Sequence, residues 1–283
     1  MIKNILVPTD FSDLARNALN LAYGIAEKTG ARIQLLNVIE PPHGSSFSAM
    51  GEIDTSANDF EAVFIRQLKE KMEDKMQDLV SEETFKDVEL NGRVDVGRPY
   101  ETIADEITEN DTNLVVMSTN GASGVEEVLI GSNAEKVVRR SKCPVISVHD
   151  PVTIDDINDI VFATNLRDNQ EKTLKELKTI QDIFGARLHV VTINTPSNFS
   201  SDRYYKKKME EFAQNNQIKD YTFTVYNDDT EEDGIIYFAD EIDADMIALA
   251  THGRTGIRHV LSGSIAEDVV NHTKRPVWTF HLS

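Results

Sequence analysis

The chain has 283 residues, 40% of them apolar and 27% charged, with 48 acidic against 29 basic side chains and a formal net charge of −19. This is the composition of a folded globular protein long enough for one large or two ordinary domains, and its acidity argues against a general affinity for nucleic acid or an anionic membrane, since both are polyanions. Cys143 is the sole cysteine and permits no internal disulfide; with no targeting-type segment over Met1–Thr9 and no apolar run long enough to cross a bilayer, a reducing, cytoplasmic location is expected.

Ile2–Val7 is a short apolar run that predicts a first strand. Asp13–Lys28 follows as an amphipathic helix with Leu14, Ala18, Leu21, Ala22 and Ile25 on one face, Ser12 as N-cap and Gly30 as the stop. Ile33–Ile39 predicts a second strand. A loop with Pro41, Pro42 and Gly44 leads to a long charged helix over Asn58–Val80. Its Leu68, Met72, Met76 and Leu79 fall at helical spacing and are expected in the core, opposite solvated Glu70, Lys71, Glu73 and Asp74. A third strand is expected near Val88–Val96, a short helix after Pro99, a fourth strand over Leu114–Met117, a helix after Gly131 and a fifth strand over Val145–Val148.

The pattern then repeats. Gly30-Ala31-Arg32 recurs as Gly185-Ala186-Arg187, an offset of 155 that also aligns Ile5 with Ile160, Thr9 with Thr164 and Asp13 with Asp168. Toward the end of each half the offset is 132, aligning Thr119–Glu135 with Thr251–Glu267 and Pro144-Val145 with Pro276-Val277. The drop of 23 makes the second copy shorter between its second and third strands. A repeat of this length is a duplicated domain and not a solenoid unit. The polar stretch Asp150–Asp156 divides the chain into domains 1–150 and 151–283. Apolar strands alternating with helices imply parallel sheets covered on both faces and connected by right-handed crossovers. The expected fold is α/β, two tandem doubly wound five-stranded domains of Rossmann-like type with strand order 3-2-1-4-5.

In such a sheet a ligand binds beyond the carboxyl ends of the strands, where the winding reverses, here between the first and fourth. Thr9-Asp10 follows the first strand, and Ser118-Thr119-Asn120-Gly121 follows the fourth, leading to Gly131-Ser132-Asn133 at a helix start. Glycine admits a close backbone approach, and a helix start presents N–H groups and a positive dipole end, which suit a phosphate. The alternative is that the glycines only shape a loop and Ser132 caps the helix. No Gly-x-Gly-x-x-Gly or Gly-x-x-x-x-Gly-Lys-Ser/Thr is present, His252, His259 and His272 match no metal-ligand spacing, and Lys206-Lys207-Lys208 reads as solvated surface. Cys143, before the fifth strand, reads as a small buried residue.

Val7-Pro8-Thr9-Asp10, Asn37-Val38, Gly97-Arg98-Pro99, Gly121 with nine residues to Gly131-Ser132, Ala134-Glu135 and Cys143-Pro144-Val145 together resemble the universal stress protein family, over nearly all of both halves. The resemblance implies binding of ATP or another adenine nucleotide, with Mg²⁺ carried by the phosphates. Asp10 and Val38 would hold the base, and Gly121, Gly131 and Ser132 the ribose and phosphates with Asn133 beside them. Gly97 and Pro99 complete the pattern, and Ser118 replaces the first glycine of the family motif. The second copy keeps Gly253, Gly263 and Ser264 but has Asn165 for Asp10, Ala250 for Ser118 and no Gly-x-Pro, so its site is expected to be degenerate. The resemblance further implies pairing of the last strands, Pro144–His149 and Pro276–His281, as an intramolecular pseudo-dimer; further homodimerisation and a protein partner are not specified.

Three functional classes fit these residues: a nucleotide-binding signalling or stress-response module, a slow ATPase or phosphoryl-transfer enzyme, and a nucleotide-free scaffold. The first is favoured. Hydrolysis needs a carboxylate to orient water near the phosphates, and Asp10 is expected at the adenine end.

Overall fold

The computed structural model describes residues 1–41, 59–119, 131–166, 171–216, 220–252 and 263–282. The first half runs β1 (Asn4–Pro8), α1 (Asp13–Thr29), β2 (Arg32–Ile39), α2 (Asp59–Val80), β3 (Leu90–Val96), α3 (Pro99–Glu109), β4 (Leu114–Ser118), α4 (Ser132–Arg140) and β5 (Val145–Val148). The second repeats the order as β6 (Asp159–Ala163), α5 (Glu171–Phe184), β7 (Arg187–Asn194), α6 (Asp202–Asn216), β8 (Tyr221–Asn227), α7 (Glu231–Glu241), β9 (Met246–His252), α8 (Gly263–His272) and β10 (Val277–Leu282).

Local chemistry places these elements where the sequence predicts them. The Ser12 hydroxyl accepts the Ala15 N–H at the start of α1, and Gly30 ends it at φ 71°, in the left-handed region. On α1 the buried face carries Ala15 and Leu19 as well as Ala18, Leu21, Ala22 and Ile25, whereas Leu14 is only half-buried. The stripe is therefore rotated slightly from its expected position. On α2, Met76 is buried, and Leu68, Met72 and Leu79 pack against the same core.

All ten strands form one sheet in the order β3-β2-β1-β4-β5-β10-β9-β6-β7-β8. Each half has the expected 3-2-1-4-5 order, and pairing within each half is parallel. The halves meet through β5 and β10, which pair antiparallel with Val145 opposite Thr279, Ile146 opposite Trp278 and Ser147 opposite Val277. Each last strand thus covers what would be the exposed edge of the other half.

The core follows the same plan. On one face of the sheet a single apolar cluster runs from Ile5, Leu21 and Ile33 in the first half through Ile146 and Trp278 to Phe162, Leu177 and Leu188 in the second. On the other face are two separate clusters, one under α3 and α4 and one under α7 and α8. The connecting segment also belongs to this packing. Ile154 lies against α1 at Gly24, where a Cβ would stand 3.1 Å from Ile154 Cγ2. The Thr153 N–H and hydroxyl both donate to Asp156 Oδ2, at 2.8 and 2.6 Å, which fixes the turn before β6. Across the seam Arg139 on α4 pairs with Glu267 on α8 at 2.7 Å.

Two outcomes are expected from this shared core. Trp278→Ala should cost about 3–5 kcal/mol, and denaturant unfolding should remain one transition because both halves lose the same packing; two resolved transitions in the native protein would contradict it. Expressed separately, residues 1–150 and 151–283 should self-associate or bind each other through the bared β5 and β10, as gel filtration with light scattering reports. Monomeric halves indifferent to one another would oppose the pairing.

Candidate functional site

Where the winding reverses in the first half, a cleft of about 400 Å³ opens between the carboxyl ends of β1 and β4. Its first wall comes from the sharp exit of β1. Phe11 takes φ 63°, held because its N–H donates to Thr9 Oγ1 at 3.1 Å while the Ser12 N–H donates to Asp10 Oδ1 at 3.0 Å. This turn leaves Pro8, Thr9 and Asp10 on the cleft surface. Asn37 and Val38, at the end of β2, continue the wall; Leu36, Ile103 and Met117 give it an apolar lining.

The opposite side is built from the end of β4 and the start of α4. The Thr119 N–H donates to the Val148 carbonyl at 3.2 Å, and the Thr119 carbonyl accepts the Gly131 N–H at 2.8 Å. Gly131 is the N-cap residue of α4, with no side chain to cap it, and Ser132 is the first helical residue. The N-cap position thus falls on Gly131 and not on Ser132. The first N–H groups of a helix have no partner within it, and the positive dipole end lies with them. Gly131 has ordinary dihedrals, φ −59° and ψ 138°, and a Cβ there would meet only the Thr119 carbonyl, at 3.6 Å. Nothing within the described chain requires glycine at 131.

Two buried polar atoms in this wall have no hydrogen-bond partner among the described residues. Asn37, 7% exposed, donates from Nδ2 to the Thr9 carbonyl at 2.8 Å, but its Oδ1 accepts nothing. Thr119, 5% exposed, has an unpartnered hydroxyl. Such atoms cost about 1–3 kcal/mol each when left unsatisfied.

Of the residues the sequence singles out, Asp10, Val38, Pro99, Ser118, Gly131, Ser132 and Asn133 share this one cleft. Gly97 is not in its described lining. Its N–H donates to the Ile39 carbonyl at 3.0 Å, and a Cβ would stand 3.0 Å from Thr102 Oγ1, so it shapes the entry to α3. Gly121 lies outside the described residues, as do Gly253, His259 and the loop with Pro42 and Gly44. Sequence reasoning did not single out the unsatisfied groups of Asn37 and Thr119; the one available signal was an asparagine amid the apolar residues of β2.

The second half builds the same turn and then fills it. Leu166 takes φ 56° with its N–H on Thr164 Oγ1 at 3.2 Å, and the Thr192 hydroxyl donates to the Thr164 carbonyl at 2.8 Å, where Asn37 acts in the first half. The recess measures only about 20 Å³ and is lined by Asn165, Asn198, Tyr205 and Glu231 among others. That is room for little more than one water. Tyr205 is buried, and its hydroxyl donates to Asn194 Oδ1 at 3.1 Å. Asn194 donates to Asn227 Oδ1 at 2.9 Å, and Asn198 to Glu231 Oε1 at 3.3 Å. Glu231 opens α7 where Pro99 opens α3. Gly263 and Ser264 begin α8, matching the motif's position in α4.

A doubly wound domain used twice, with a cleft at one switch point, is the class that the fold and site define. The model of the universal stress protein family matches residues 1–149 and again 157–281, so the chain belongs to that family as a tandem two-domain member. A universal stress protein of Staphylococcus aureus (strain USA300) is 28% identical over 173 residues, covering 60% of this chain and 97% of the relative. The crystal structure of a universal stress protein from Archaeoglobus fulgidus shares the fold with a TM-score of 0.73 at 22% identity, covering 98% of this chain and 96% of that one. A Pseudomonas aeruginosa structure gives a TM-score of 0.65 at 17% identity over 99% of this chain and 93% of its own. Among the described residues no helix is long and apolar enough to cross a membrane.

Cys143 is buried beside Ser141, whose hydroxyl donates to the Cys143 carbonyl at 2.8 Å, and burial pushes its thiol up to about 11. At pH 8 the thiol is protonated and covered, so a maleimide or disulfide reagent should label native protein far more slowly than denatured protein. Equal rates would show that Cys143 is accessible.

Proposed function

We propose that the first domain binds ATP or another adenine nucleotide in the β1–β4 cleft, and that the protein is a nucleotide-responsive module of the stress response. The carrying observation is the contrast between the two copies. Asn37 and Thr119 keep unsatisfied polar atoms in the wall of a cleft of about 400 Å³, while the matching recess of the second copy is occupied by its own side chains. A volume of this order suits a small-molecule ligand.

Each part of the cleft has a task in this reading. Leu36, Val38, Ile103 and Met117 offer apolar surface to a base, with Asp10 and Asn37 as polar contacts at its edge. The start of α4 at Gly131, Ser132 and Asn133, with the Thr119 hydroxyl, receives the phosphates, and glycine at 131 keeps the approach clear. Mg²⁺ is held through the phosphates. The second domain is the structural partner, a reading that also takes residues 151–283 as its extent.

Gly131→Trp should abolish nucleotide binding in calorimetric titration and leave folding intact, because a Cβ at 131 is tolerated and only the ring enters the cleft. Gly263→Trp should leave the tight site unchanged, and Asp10→Asn should weaken it by about 1–3 kcal/mol. Loss of binding at Gly263 but not Gly131 would reverse the assignment. Mass spectrometry of ligand released from denatured protein identifies the nucleotide; protein that carries none and binds none leaves the scaffold reading.

A further inference from the structure

A second recess of the first domain lies at the opposite end of its strands, on the face of the sheet covered by α3. It measures about 120 Å³ and opens among Asn4, Arg32, Gln34, Asn91, Glu106 and Thr112, with Ile5 and Ile33 behind them. This is space for a molecule of a few heavy atoms.

Its chemistry is set by Glu106, which is 5% exposed. Oε2 accepts Arg93 Nη1 at 2.9 Å, and Arg93 is shared with Asp95 at 2.6 Å. Oε1 accepts no hydrogen bond among the described residues and, unlike the orphaned atoms of the β1–β4 cleft, is not wholly shut off from water, so it is open to a donor entering the recess. At the mouth, the Arg32 Nε donates to Asn4 Oδ1 at 2.9 Å, which fixes the guanidinium and leaves its terminal N–H groups without a carboxylate among the described residues. Gln34 lies between them, directly opposite Asn91 in the strand register. A carboxylate with one oxygen open and a guanidinium with no carboxylate partner among the described residues therefore line one small recess.

The repeat supplies an internal control. The positions of Asn4, Gln34 and Asn91 are taken in the second half by Asp159, His189 and Thr222, which satisfy one another: His189 contacts Asp159 Oδ1 at 2.7 Å and Thr222 Oγ1 at 2.9 Å. Glu106 is replaced by Phe238, buried and packed on Tyr226 with ring centroids 5.6 Å apart. The same architecture thus carries, at this place in the second half, an internally paired polar set and a buried apolar side chain.

We propose that this recess of the first domain binds a small ammonium carboxylate, an amino acid of the size of glycine or alanine. The ammonium donates to Glu106 Oε1 and to the Gln34 amide oxygen, and the carboxylate is received by Arg32. Both contacts are charge-assisted, which is what a ligand of so little area requires for useful affinity. The two charges of the ligand match these two groups, and the compact volume excludes long side chains.

The test uses the full chain, with L-alanine as probe and methylammonium and acetate as its separate halves. Side-chain amide signals of Gln34 and Asn91 are followed by ¹⁵N NMR, with calorimetry in parallel. L-alanine should shift those signals at millimolar concentration, and Arg32→Gln and Glu106→Gln should each weaken it at least about tenfold. Methylammonium should bind more weakly, persist in Arg32→Gln and vanish in Glu106→Gln. Arg32 is exposed, so Arg32→Gln keeps the test decisive if Glu106→Gln fails to fold. Gly131→Trp, which closes the nucleotide cleft, should leave alanine binding unchanged. No shift with L-alanine, binding indifferent to Arg32→Gln, or binding lost in Gly131→Trp would each overturn the proposal without touching the nucleotide reading.

Discussion

The antiparallel pairing of β5 with β10 is the constraint on which the rest of the molecule depends. A five-stranded doubly wound sheet ends in a last strand with one side unpaired, and each half of this chain meets that need with the other. The pair carries Ile146 and Trp278 into a core that is continuous beneath both halves. The seam also holds unpartnered polar atoms, the Ser147 and Thr279 hydroxyls and the Trp278 indole N–H. Its stability therefore comes from apolar burial and strand pairing, with polar side chains contributing little. Arg139 and Glu267 add a charged contact across the helices above it. Glu267 is still held above the usual carboxylate range because burial outweighs the neighbouring guanidinium.

With the frame secured in this way, the two copies are free to differ at their strand ends. Both make the same left-handed residue after the first strand, at Phe11 and Leu166, and both tie the second strand to it by a side chain on the same carbonyl position. Beyond that shared scaffold the polar groups are satisfied by opposite means. In the second half Tyr205 donates to Asn194 and Asn198 to Glu231, while in the first half Asn37 Oδ1 and the Thr119 hydroxyl have no partner among the described residues. The two copies of one site thus differ in whether the chain itself supplies the hydrogen-bond partners.

Most of the fold was legible because it rests on local signals. Ser12 and Gly30 bracket α1, β5 begins and ends where its apolar run does, and the repeat doubles the evidence for each element. The switch point, and with it Asp10 and Gly131, followed from topology, and Val38 from the family resemblance. What was not legible depends on contacts between distant segments. Gly97 stands beside Thr102, and that placement depends on how α3 starts. The filling of the second recess needed Tyr205 to meet Asn194 across a loop. The open oxygen of Glu106 could not be read from a helix in which it is one acidic residue among several.

Because strand direction reverses at the seam, the carboxyl ends of β1–β5 and those of β6–β10 face opposite rims of the sheet. The open cleft looks out from one rim and the sealed recess from the other, so the molecule has a front and a back despite being built from two copies of one unit. The rim at the carboxyl ends of β1–β5 carries the cleft, and the rim at the carboxyl ends of β6–β10 carries the filled recess. Duplication has here produced two unlike rims, which two equivalent subunits related by exact symmetry could not give.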